Sequence, residues 1–384
     1  MSGRIDVGVF DHIEHLPGVD LGQLYKDRLV QLEALDRAGF YAYHLAEHHT
    51  PAVHSMAPSQ NVFLAAASQR TERLRFGPGV YVLPLHHPLR LIEEVSMLDH
   101  LSDGRLEIGV GRGGVLEAYF WGQDSDPETN LARYEETLEI LVRGLSSDTL
   151  SFDGRFWQFE EVPMRLRPKQ APHPPLWYMR NPETAAQHGM NCIVVGSLDN
   201  LEANVMRYRR LWDQYNPDQP VTRQGTEPKI GLVLHVVVAP TDEEAIEAAR
   251  PAWDAYRYNL GTPRRLEAER RNLTQFLRPP GGAVRMEAPK RHRAVEERRD
   301  LDQALEALTQ EELAARKERR RLPGEIAGGV MAGSPSSVCR LLEEYIETGA
   351  NYLVCSFQWG SLSHAQAMQS VDLWSREIMP MLRG

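Results

Sequence analysis

The chain has 384 residues, of which 42% are hydrophobic and 25% are charged. A chain of this size and composition buries enough apolar surface to fold without covalent cross-links, which excludes disordered, fibrous and mini-protein classes. Its 53 acidic and 43 basic residues give a formal net charge of -10, which disfavours binding to nucleic acid or anionic membranes.

Short runs rich in Val, Ile and Leu alternate with segments of helical periodicity, a pattern typical of parallel sheet with helical crossovers. The predicted strands are residues 5–10, 41–46, 74–83, 106–111, 175–179, 191–195, 230–238 and 352–357. The predicted helices are residues 21–38, 59–70, 89–101, 131–145, 182–188, 200–215, 242–260, 335–348 and 364–382. These repeated strand-helix units predict a closed (β/α)8 TIM barrel with insertions, with an open doubly wound sheet as the alternative.

Two insertions interrupt the alternation within one predicted domain spanning residues 1–384. Residues 150–162 predict a hairpin, because Asp153-Gly154 is a strong turn pair between aromatic residues. Residues 261–329 are dense in charge, with Glu and Arg interleaved at helical spacing, which favours solvated helices over a polyanion site. Because this charged insertion precedes the last strand, we expect it to cover the barrel mouth as a lid.

Glu47, His48 and His49 follow the second predicted strand. Catalytic groups of (β/α)8 barrels lie at the carboxyl ends of the strands. A carboxylate beside two imidazoles is suited to proton transfer or charge stabilisation near neutral pH. The three residues are therefore candidate catalytic residues, and a purely structural histidine pair is the alternative.

A metal site is a second interpretation of the histidines in this part of the chain, which are His48, His49, His54, His86 and His87. Their spacing differs from H-E-x-x-H, and no H-x-H motif closes the first strand. The last predicted strand ends without a carboxylate ligand. The sequence therefore predicts no metal.

Residues 109–114 read Gly-Val-Gly-Arg-Gly-Gly and satisfy the G-x-G-x-x-G spacing. A dinucleotide fingerprint opens a helix at once, whereas here two aspartates and a proline precede the next helical pattern. A phosphate site remains, because glycines expose backbone amides and Arg112 adds a bidentate donor. The alternative is that the glycines relieve crowding at a barrel corner.

Two further segments point towards the same end of the barrel. Gly79 and Val80 break the third strand, which is typical of close approach by a backbone or a flat ligand. The fifth strand ends in an aromatic pair followed by a helix that starts at Pro182, whose amino end suits an anion. Packing in the core is the alternative for the aromatic pair.

The three cysteines are widely spaced and odd in number, which fits neither a disulfide framework nor a zinc ribbon. The first residues lack the apolar core of a signal peptide, and no apolar run is long enough to cross a bilayer. We therefore expect a cytoplasmic protein.

Four segments in fixed order resemble the bacterial luciferase-like flavin monooxygenases. They are residues 44–49 (His-Leu-Ala-Glu-His-His), 83–88 (Leu-Pro-Leu-His-His-Pro), 98–105 and 109–113. The resemblance covers nearly the whole chain and is strongest over residues 5–195. It implies a (β/α)8 barrel, a homodimer, and a reaction of dioxygen with reduced FMN that diffuses from a separate flavin reductase.

The resemblance also implies roles for single residues. His48 corresponds to a catalytic histidine, with Glu47 and His49 beside it. Gly79 and Val80 correspond to a non-prolyl cis peptide against the flavin ring. The remaining cofactor-binding correspondences are the phosphate-binding arginines Arg112 and Arg133, and the lining residues Trp177, Tyr178 and Asn181.

The sequence departs from the family in two ways. Gly111 stands where light-emitting members have a reactive cysteine, so we do not expect light emission. Tyr178 and Asn181 stand where relatives hold phosphate with serine and threonine, so Arg180 or backbone amides are expected to take over those contacts. Residues 261–329 coincide with a mobile loop of relatives.

The sequence thus predicts a two-component FMN-dependent monooxygenase that oxygenates a small organic substrate. Baeyer-Villiger insertion, aldehyde oxidation, hydroxylation and epoxidation all remain open as reaction types. The alternatives are a deazaflavin-dependent oxidoreductase of the same superfamily, a metal-dependent barrel hydrolase and a non-catalytic flavin-binding protein.

Overall fold

Parallel strands form a ring at the centre of the fold. The computed structural model describes residues 5–49, 55–196, 198–216, 227–277 and 329–383. In chain order the strands are β1 (Asp6–Asp11), β2 (Ala42–Leu45), β3 (Arg75–Pro78), β4 (Tyr81–Val82), β5 (Ile108–Gly111), β6 (Thr149–Asp153), β7 (Gln158–Pro163), β8 (Leu176–Met179), β9 (Asn191–Val194), β10 (Ile230–Val238), β11 (Val330–Gly333) and β12 (Tyr352–Ser356).

The main sheet closes on itself. Neighbouring strands follow the order β3-β2-β1-β12-β10-β9-β8-β5-β4, and β11 pairs with β10. A parallel bridge between Phe76 of β3 and Leu106, just before β5, joins the two ends. Since β3 and β4 are the two parts of the predicted third strand, the eight predicted strands form the ring. The (β/α)8 barrel is confirmed, and the open doubly wound sheet was the wrong alternative.

Helices cover the outside of this barrel. Asp20 caps the first helix by accepting a hydrogen bond from the Gln23 amide, and Gly39 ends it in the left-handed conformation. No helix in the described ranges is long and apolar enough to cross a membrane. The helices are α1 (Leu21–Ala38), α2 (Gln60–Ser68), α3 (Pro88–Leu101), α4 (Val115–Phe120), α5 (Pro127–Ser146), α6 (Pro182–Gln187), α7 (Leu201–Tyr215), α8 (Asp242–Arg270), α9 (Pro335–Glu347), α10 (His364–Leu373) and α11 (Met379–Arg383).

Alternation along the strands divides the core into two layers. Val7 and Leu45 belong to the large cluster that strands share with the surrounding helices. Phe10, Trp177 and Val233 belong to a smaller cluster inside the ring. The interior of the ring is therefore filled by these apolar side chains together with buried polar groups such as His44, which lies against Trp177.

The structure extends the sequence prediction at α8, α4 and β11. The helix predicted over residues 242–260 continues to Arg270 and passes through Gly261 and Pro263. Its last turns are held by apolar contacts of Ala268 with Leu116 of α4, an element without enough periodicity to be predicted. Residues 278–328 of the predicted lid lie outside the described residues, so the lid stays a prediction.

The segment predicted as a hairpin forms one outside the barrel. β6 and β7 pair antiparallel, with Leu150 opposite Val162 and Asp153 opposite Gln158. Its aromatic residues pack on the barrel helices, and the Trp157 indole donates to the Thr137 hydroxyl of α5. The hairpin therefore extends the wall beside α5.

The glycines of residues 109–114 allow β5 to approach β3 and β4 closely. A Cβ atom on Gly109 would lie 2.3 Å from the Pro78 carbonyl oxygen. On Gly111 it would lie 2.4 Å from Val80 Cγ2, and on Gly113 2.3 Å from Val82 Cγ1. Relief of crowding, the second interpretation of this motif, accounts for these three glycines.

We predict that Gly109→Ala destabilises the fold by about 1–3 kcal/mol, because the added methyl group meets backbone that cannot move aside. Gly261→Ala is the matched control, since a Cβ atom there has no neighbour within 4 Å and alanine favours helix. Denaturant unfolding midpoints measure both changes. Equal midpoints for Gly109→Ala and the unmodified protein would show that the strands are not packed this closely.

Candidate active site

The polar side chains at the carboxyl end of the barrel surround one region. His12 and Glu14 follow β1, and residues 47–49 follow β2. Arg112 follows β5, and Arg180 follows β8. Because all ring strands are parallel, their carboxyl ends meet at one rim, which is where barrel enzymes place their chemistry.

Glu47 is buried and fully engaged. Its carboxylate contacts His49 Nε2 at 2.7 Å and His86 Nε2 at 3.0 Å, and it accepts a 2.9 Å hydrogen bond from the Val82 amide. Burial disfavours the ionised form, but the charge of His86 and the hydrogen bonds from His49 and His86 lower the pKa of Glu47 to about 2. Glu47 is therefore an ionised anchor that ties the end of β2 to β4.

The contact with Glu47 also changes the pKa of His86. Burial lowers the pKa of the imidazole, but the negative charge of Glu47 outweighs it, so the pKa of His86 is raised. His49 is more deeply buried than His86, and its ring centroid lies 4.2 Å from that of Trp121. Glu47 and His49 are thus bonded to each other, and Glu47 also binds His86. The sequence analysis considered His86 only as a possible metal ligand.

His48 points away from this cluster. Its ring stacks on that of His12, with centroids 5.5 Å apart and planes 20° apart. Its Nδ1 lies 3.7 Å from Glu117 Oε1, and 25% of the side chain is exposed. Of the three candidate catalytic residues, His48 is therefore the one placed to meet a ligand at the rim.

Glu117, on α4, is the carboxylate beside His48. Arg264 of α8 approaches Glu117 Oε1 to 2.7 Å, and the Gly114 amide donates to Oε2 at 3.1 Å. Burial disfavours the ionised form, but the contact with His48 and the charge of Arg264 lower the pKa of Glu117 to about 2. The group beside His48 is thus an anion near neutral pH.

α8 lies across the rim and contacts it at several points. Tyr256 lies 4.3 Å from His235 of β10 and 6.0 Å from His12, measured between ring centroids. Asn259 donates a 3.0 Å hydrogen bond to Glu14, whose other oxygen accepts from the Gly360 amide. Burial raises the pKa of Glu14 against these two hydrogen bonds. The helix therefore covers the mouth from β10 to β1 and onwards to α4.

The wall of the site near β3 has the backbone feature that the resemblance implies. The peptide bond between Gly79 and Val80 is cis. A Cβ atom on Gly79 would lie 3.0 Å from His44 Cβ and 3.2 Å from the Phe10 ring. Gly79 therefore packs closely against His44 and Phe10, and the partly exposed Val80 is the residue of this peptide bond that reaches the surface of the site.

The arginines expected near a phosphate lie on three neighbouring elements. Arg112 and Arg180 directly follow the paired strands β5 and β8. Arg180 has a positive φ of 77°, a backbone conformation that is uncommon for a residue other than glycine, directly at the end of β8. Arg133 of α5 instead lies over the Phe156 ring of the hairpin, 4.4 Å from its centroid. Arg112 and Arg180 are thus the better-placed pair for an anion.

Trp177, Tyr178 and Asn181 do not share one surface. Trp177 points into the barrel, where its indole donates to Glu107 and its ring lies 5.0 Å from His44. Tyr178 faces the other side of β8 and packs 6.3 Å from Tyr134 of α5. Asn181 caps α6 through hydrogen bonds from the Glu183 and Thr184 amides. Packing in the core, the alternative interpretation, describes Trp177.

The structure also separates the histidines of the metal interpretation. His48 and His49 point apart, and His87 contacts Trp157 of the hairpin at 4.7 Å. His54 lies outside the described residues. Among the described residues, no group of three or more His, Cys, Asp or Glu side chains is arranged to hold a metal ion.

Sequence reasoning missed five residues of this rim. His12 and Glu14 follow β1, and the analysis could have found them by applying to the first strand the rule used for the second. Arg264 and Tyr256 lie on a helix with no signal that it crosses the rim. Glu117 belongs to a helix of six residues, too short for periodicity to show. The five residues are His12, Glu14, Glu117, Tyr256 and Arg264.

A family model described as luciferase-like monooxygenase matches residues 5–352. The chain belongs to this family. It is therefore an oxidoreductase of the flavin-dependent monooxygenase class. Its likeness to uncharacterized protein y4wF of Sinorhizobium fredii is 34% identity over 99% of this chain and 98% of that protein. The oxygenase component of flavin-dependent trigonelline monooxygenase from Acinetobacter baylyi is 28% identical over 65% of this chain and 69% of its own.

Solved structures share the fold. One is the oxygenating constituent of 3,6-diketocamphane monooxygenase from Pseudomonas putida, a type II Baeyer-Villiger monooxygenase in complex with FMN. It aligns with a TM-score of 0.71 at 17% identity, over 98% of each chain. An F420-dependent secondary alcohol dehydrogenase aligns with a TM-score of 0.66 at 15% identity, over 99% of each chain. At these identities the likeness shows the (β/α)8 fold and leaves the cofactor to the residues of the site.

We predict that Glu47→Gln destabilises the protein by about 3 kcal/mol at neutral pH and that this deficit disappears in acid. The folded-state pKa of Glu47 is about 2 against an ordinary value of 4.5, so its stabilisation is present above pH 4.5 and lost as pH falls towards 2. Unfolding midpoints of both proteins from pH 7 to pH 2 measure the difference.

The matched control is Glu139→Gln, which alters an exposed carboxylate paired with an exposed Arg143. A Glu47→Gln deficit that is the same at pH 7 and pH 2.5 would contradict the ionised anchor.

Proposed function

We propose that the chain is the oxygenase component of a two-component, FMN-dependent monooxygenase that oxygenates a small organic substrate. The observation that carries the proposal is the position of His48, partly exposed at the rim between His12 and Glu117. Its neighbours tie it to the end of β1 through His12 and to α4 through Glu117, which in turn contacts Arg264 of α8. The oxygenase-component names of relatives support delivery of reduced FMN by a separate reductase.

The residues present fit a flavin. The Gly79 and Val80 backbone offers a flat wall against which a planar ring can lie. Arg112 and Arg180 would hold the phosphate, since guanidinium groups bind phosphate oxygens in a bidentate manner. Reduced FMN, when bound, supplies the electrons that activate dioxygen.

The protein contributes position, exclusion of water and a proton. α8 closes the mouth with Tyr256 and the neighbouring aromatic residues Trp253 and Trp359, which pack 5.4 and 6.4 Å from its ring. This apolar cover limits access of water to the reacting atoms. His48 holds or moves the proton, because its imidazole is partly exposed at the rim beside an ionised carboxylate.

The reaction type within this class follows from which atom of the substrate is attacked. Baeyer-Villiger insertion and aldehyde oxidation require a carbonyl substrate, whereas hydroxylation and epoxidation require an electron-rich carbon. A homodimer and a cytoplasmic location complete the proposal. Val62 of α2 and Met97 of α3 are large hydrophobic residues exposed on neighbouring helices, and a second copy would cover them.

We predict that His48→Ala lowers the rate of oxygenation at least a hundredfold while the affinity for reduced FMN changes less than threefold. A lost proton donor or acceptor typically costs 10²–10⁴-fold. Product formation from a panel of ketones, aldehydes and alkenes, with a flavin reductase present, measures the rate. His100→Ala is the control, since His100 bonds the Arg167 carbonyl away from the rim. Unchanged turnover in His48→Ala would remove the catalytic assignment.

We predict that Arg112→Ala weakens FMN binding about tenfold or more and riboflavin binding less than twofold, because only FMN carries the phosphate. Anaerobic titration of the reduced flavins measures both affinities. Arg90→Ala, which removes an exposed arginine paired with Glu93 and Glu94 of its own helix, should change neither. Equal losses for the two flavins would show that Arg112 does not touch the phosphate.

The likeness to an F420-dependent enzyme favours a second candidate, a deazaflavin-dependent oxidoreductase that transfers hydride without oxygen. Titration with FMN and with a deazaflavin separates the candidates, because each requires tight binding of its own cofactor. FMN binding without oxygen-dependent turnover of any substrate would instead indicate a non-catalytic flavin-binding protein.

A further inference from the structure

A chain of charged side chains connects α8 to His48. Arg264 of α8 contacts Glu117 Oε1 at 2.7 Å, and the same oxygen lies 3.7 Å from His48 Nδ1. The Gly114 amide donates to the other oxygen of Glu117 and fixes the carboxylate in place. Glu117 therefore has one oxygen held by backbone and one shared between an arginine and the histidine at the rim.

The same two helices are joined by contacts that involve no part of this chain of charges. Leu116 of α4 packs with Ala268 and Leu273. Arg271 lies over the Phe120 ring, 5.1 Å from its centroid. The seat of α8 on α4 therefore has an apolar and aromatic part, which can be altered separately from the Arg264–Glu117 pair.

Arg264 not only attaches α8 to α4 but also compensates the negative charge of Glu117. Glu117 is 3% exposed, and a buried carboxylate requires a compensating charge. Arg264 supplies that charge. Without Arg264, His48 would be the nearest remaining group able to compensate Glu117, and it would hold its proton more strongly. With Arg264 present, the charge of Glu117 is already compensated, and the contact of Glu117 with His48 Nδ1 serves to orient the ring.

We propose that Glu117 and Arg264 are positioning residues for His48, and that the surroundings of His48 are complete only while α8 lies across the rim. Arg264 binds Glu117, and Glu117 in turn sets the orientation of the His48 ring. His12 stacks on the other side of that ring and restrains it further. The inference rests on the proposed function, because it assigns His48 the proton.

The two variants of the pair should move the pH profile of oxygenation in opposite directions. Arg264→Gln should shift the profile to higher pH by about one unit, because an uncompensated carboxylate holds the His48 proton. Glu117→Gln should shift it to lower pH. Both should lower kcat about tenfold or more, with the affinity for reduced FMN within threefold of the unmodified protein. Arg264→Lys, which keeps the charge, should restore most of the profile.

Arg271→Gln is the matched control, since it loosens the seat of α8 without touching Glu117. It should leave the pH profile unchanged. If Arg271→Gln and Arg264→Gln have the same effect, or if the Arg264→Gln profile superimposes on that of the unmodified protein, the proposal is overturned and Arg264 only attaches the helix.

If a single variant does not fold, the double variant Glu117→Gln/Arg264→Gln replaces it as the test. This double variant leaves neither charge buried without its partner. The double variant should behave like Glu117→Gln alone, since Arg264 acts through Glu117; additive effects would contradict the proposal. NMR titration of the His48 imidazole in flavin-free protein supplies a readout independent of oxygenation. If the titration shifts in the variants but neither the unmodified protein nor any variant oxygenates a substrate, the proposed function is contradicted. The effect of Arg264 on His48 would still be supported by such a result.

Discussion

The buried carboxylate of Glu47 is the contact on which the geometry of the rim depends. It is held by His49, His86 and the Val82 amide, so it joins the end of β2 to β4 and to the turn beyond it. An ionised group in this setting tolerates little displacement, because each lost contact removes part of the compensation that a buried charge requires. The backbone between Gly79 and Val82 is therefore fixed relative to β2.

The position of His48 follows from that anchor. Its two neighbours in the chain are turned into the Glu47 cluster, and His48 is turned to the opposite side, where it meets His12 and Glu117. One short segment thus contributes an anchor and a reactive group. The sequence Glu-His-His alone shows that titratable groups stand at a strand end. The structure shows that Glu47 and His49 are buried in the cluster and that His48 is partly exposed at the rim.

The parts of the fold that depend on neighbours in sequence could be predicted. Short runs rich in Val, Ile and Leu identified the eight ring strands, helical periodicity identified most of the surrounding helices, and turn chemistry at Asp153-Gly154 located the hairpin. The break in the third strand also followed from its glycines. Each of these features depends on a few consecutive residues, so it can be predicted without knowledge of contacts between distant parts of the chain.

The parts that depend on distant contacts could not be predicted. α8 passes through Gly261 and Pro263 because its far end packs on α4, and local propensity is overridden by that contact. The Arg264–Glu117 pair joins an insertion to a short helix after β5, and neither residue has a local signal. Trp177 and Tyr178 are adjacent and were expected to line one surface, yet the alternation of a strand sends them to opposite sides.

A crystal structure of the chain with FMN tests the central claim most directly, namely that the rims of β2 to β8 and α8 enclose one flavin. The account predicts the ring against the Gly79–Val80 backbone, His48 within reach of its reactive edge, and the phosphate at Arg112 and Arg180. An FMN molecule bound elsewhere, or one that touches Arg112 while His48 opens into a separate crevice, would contradict it.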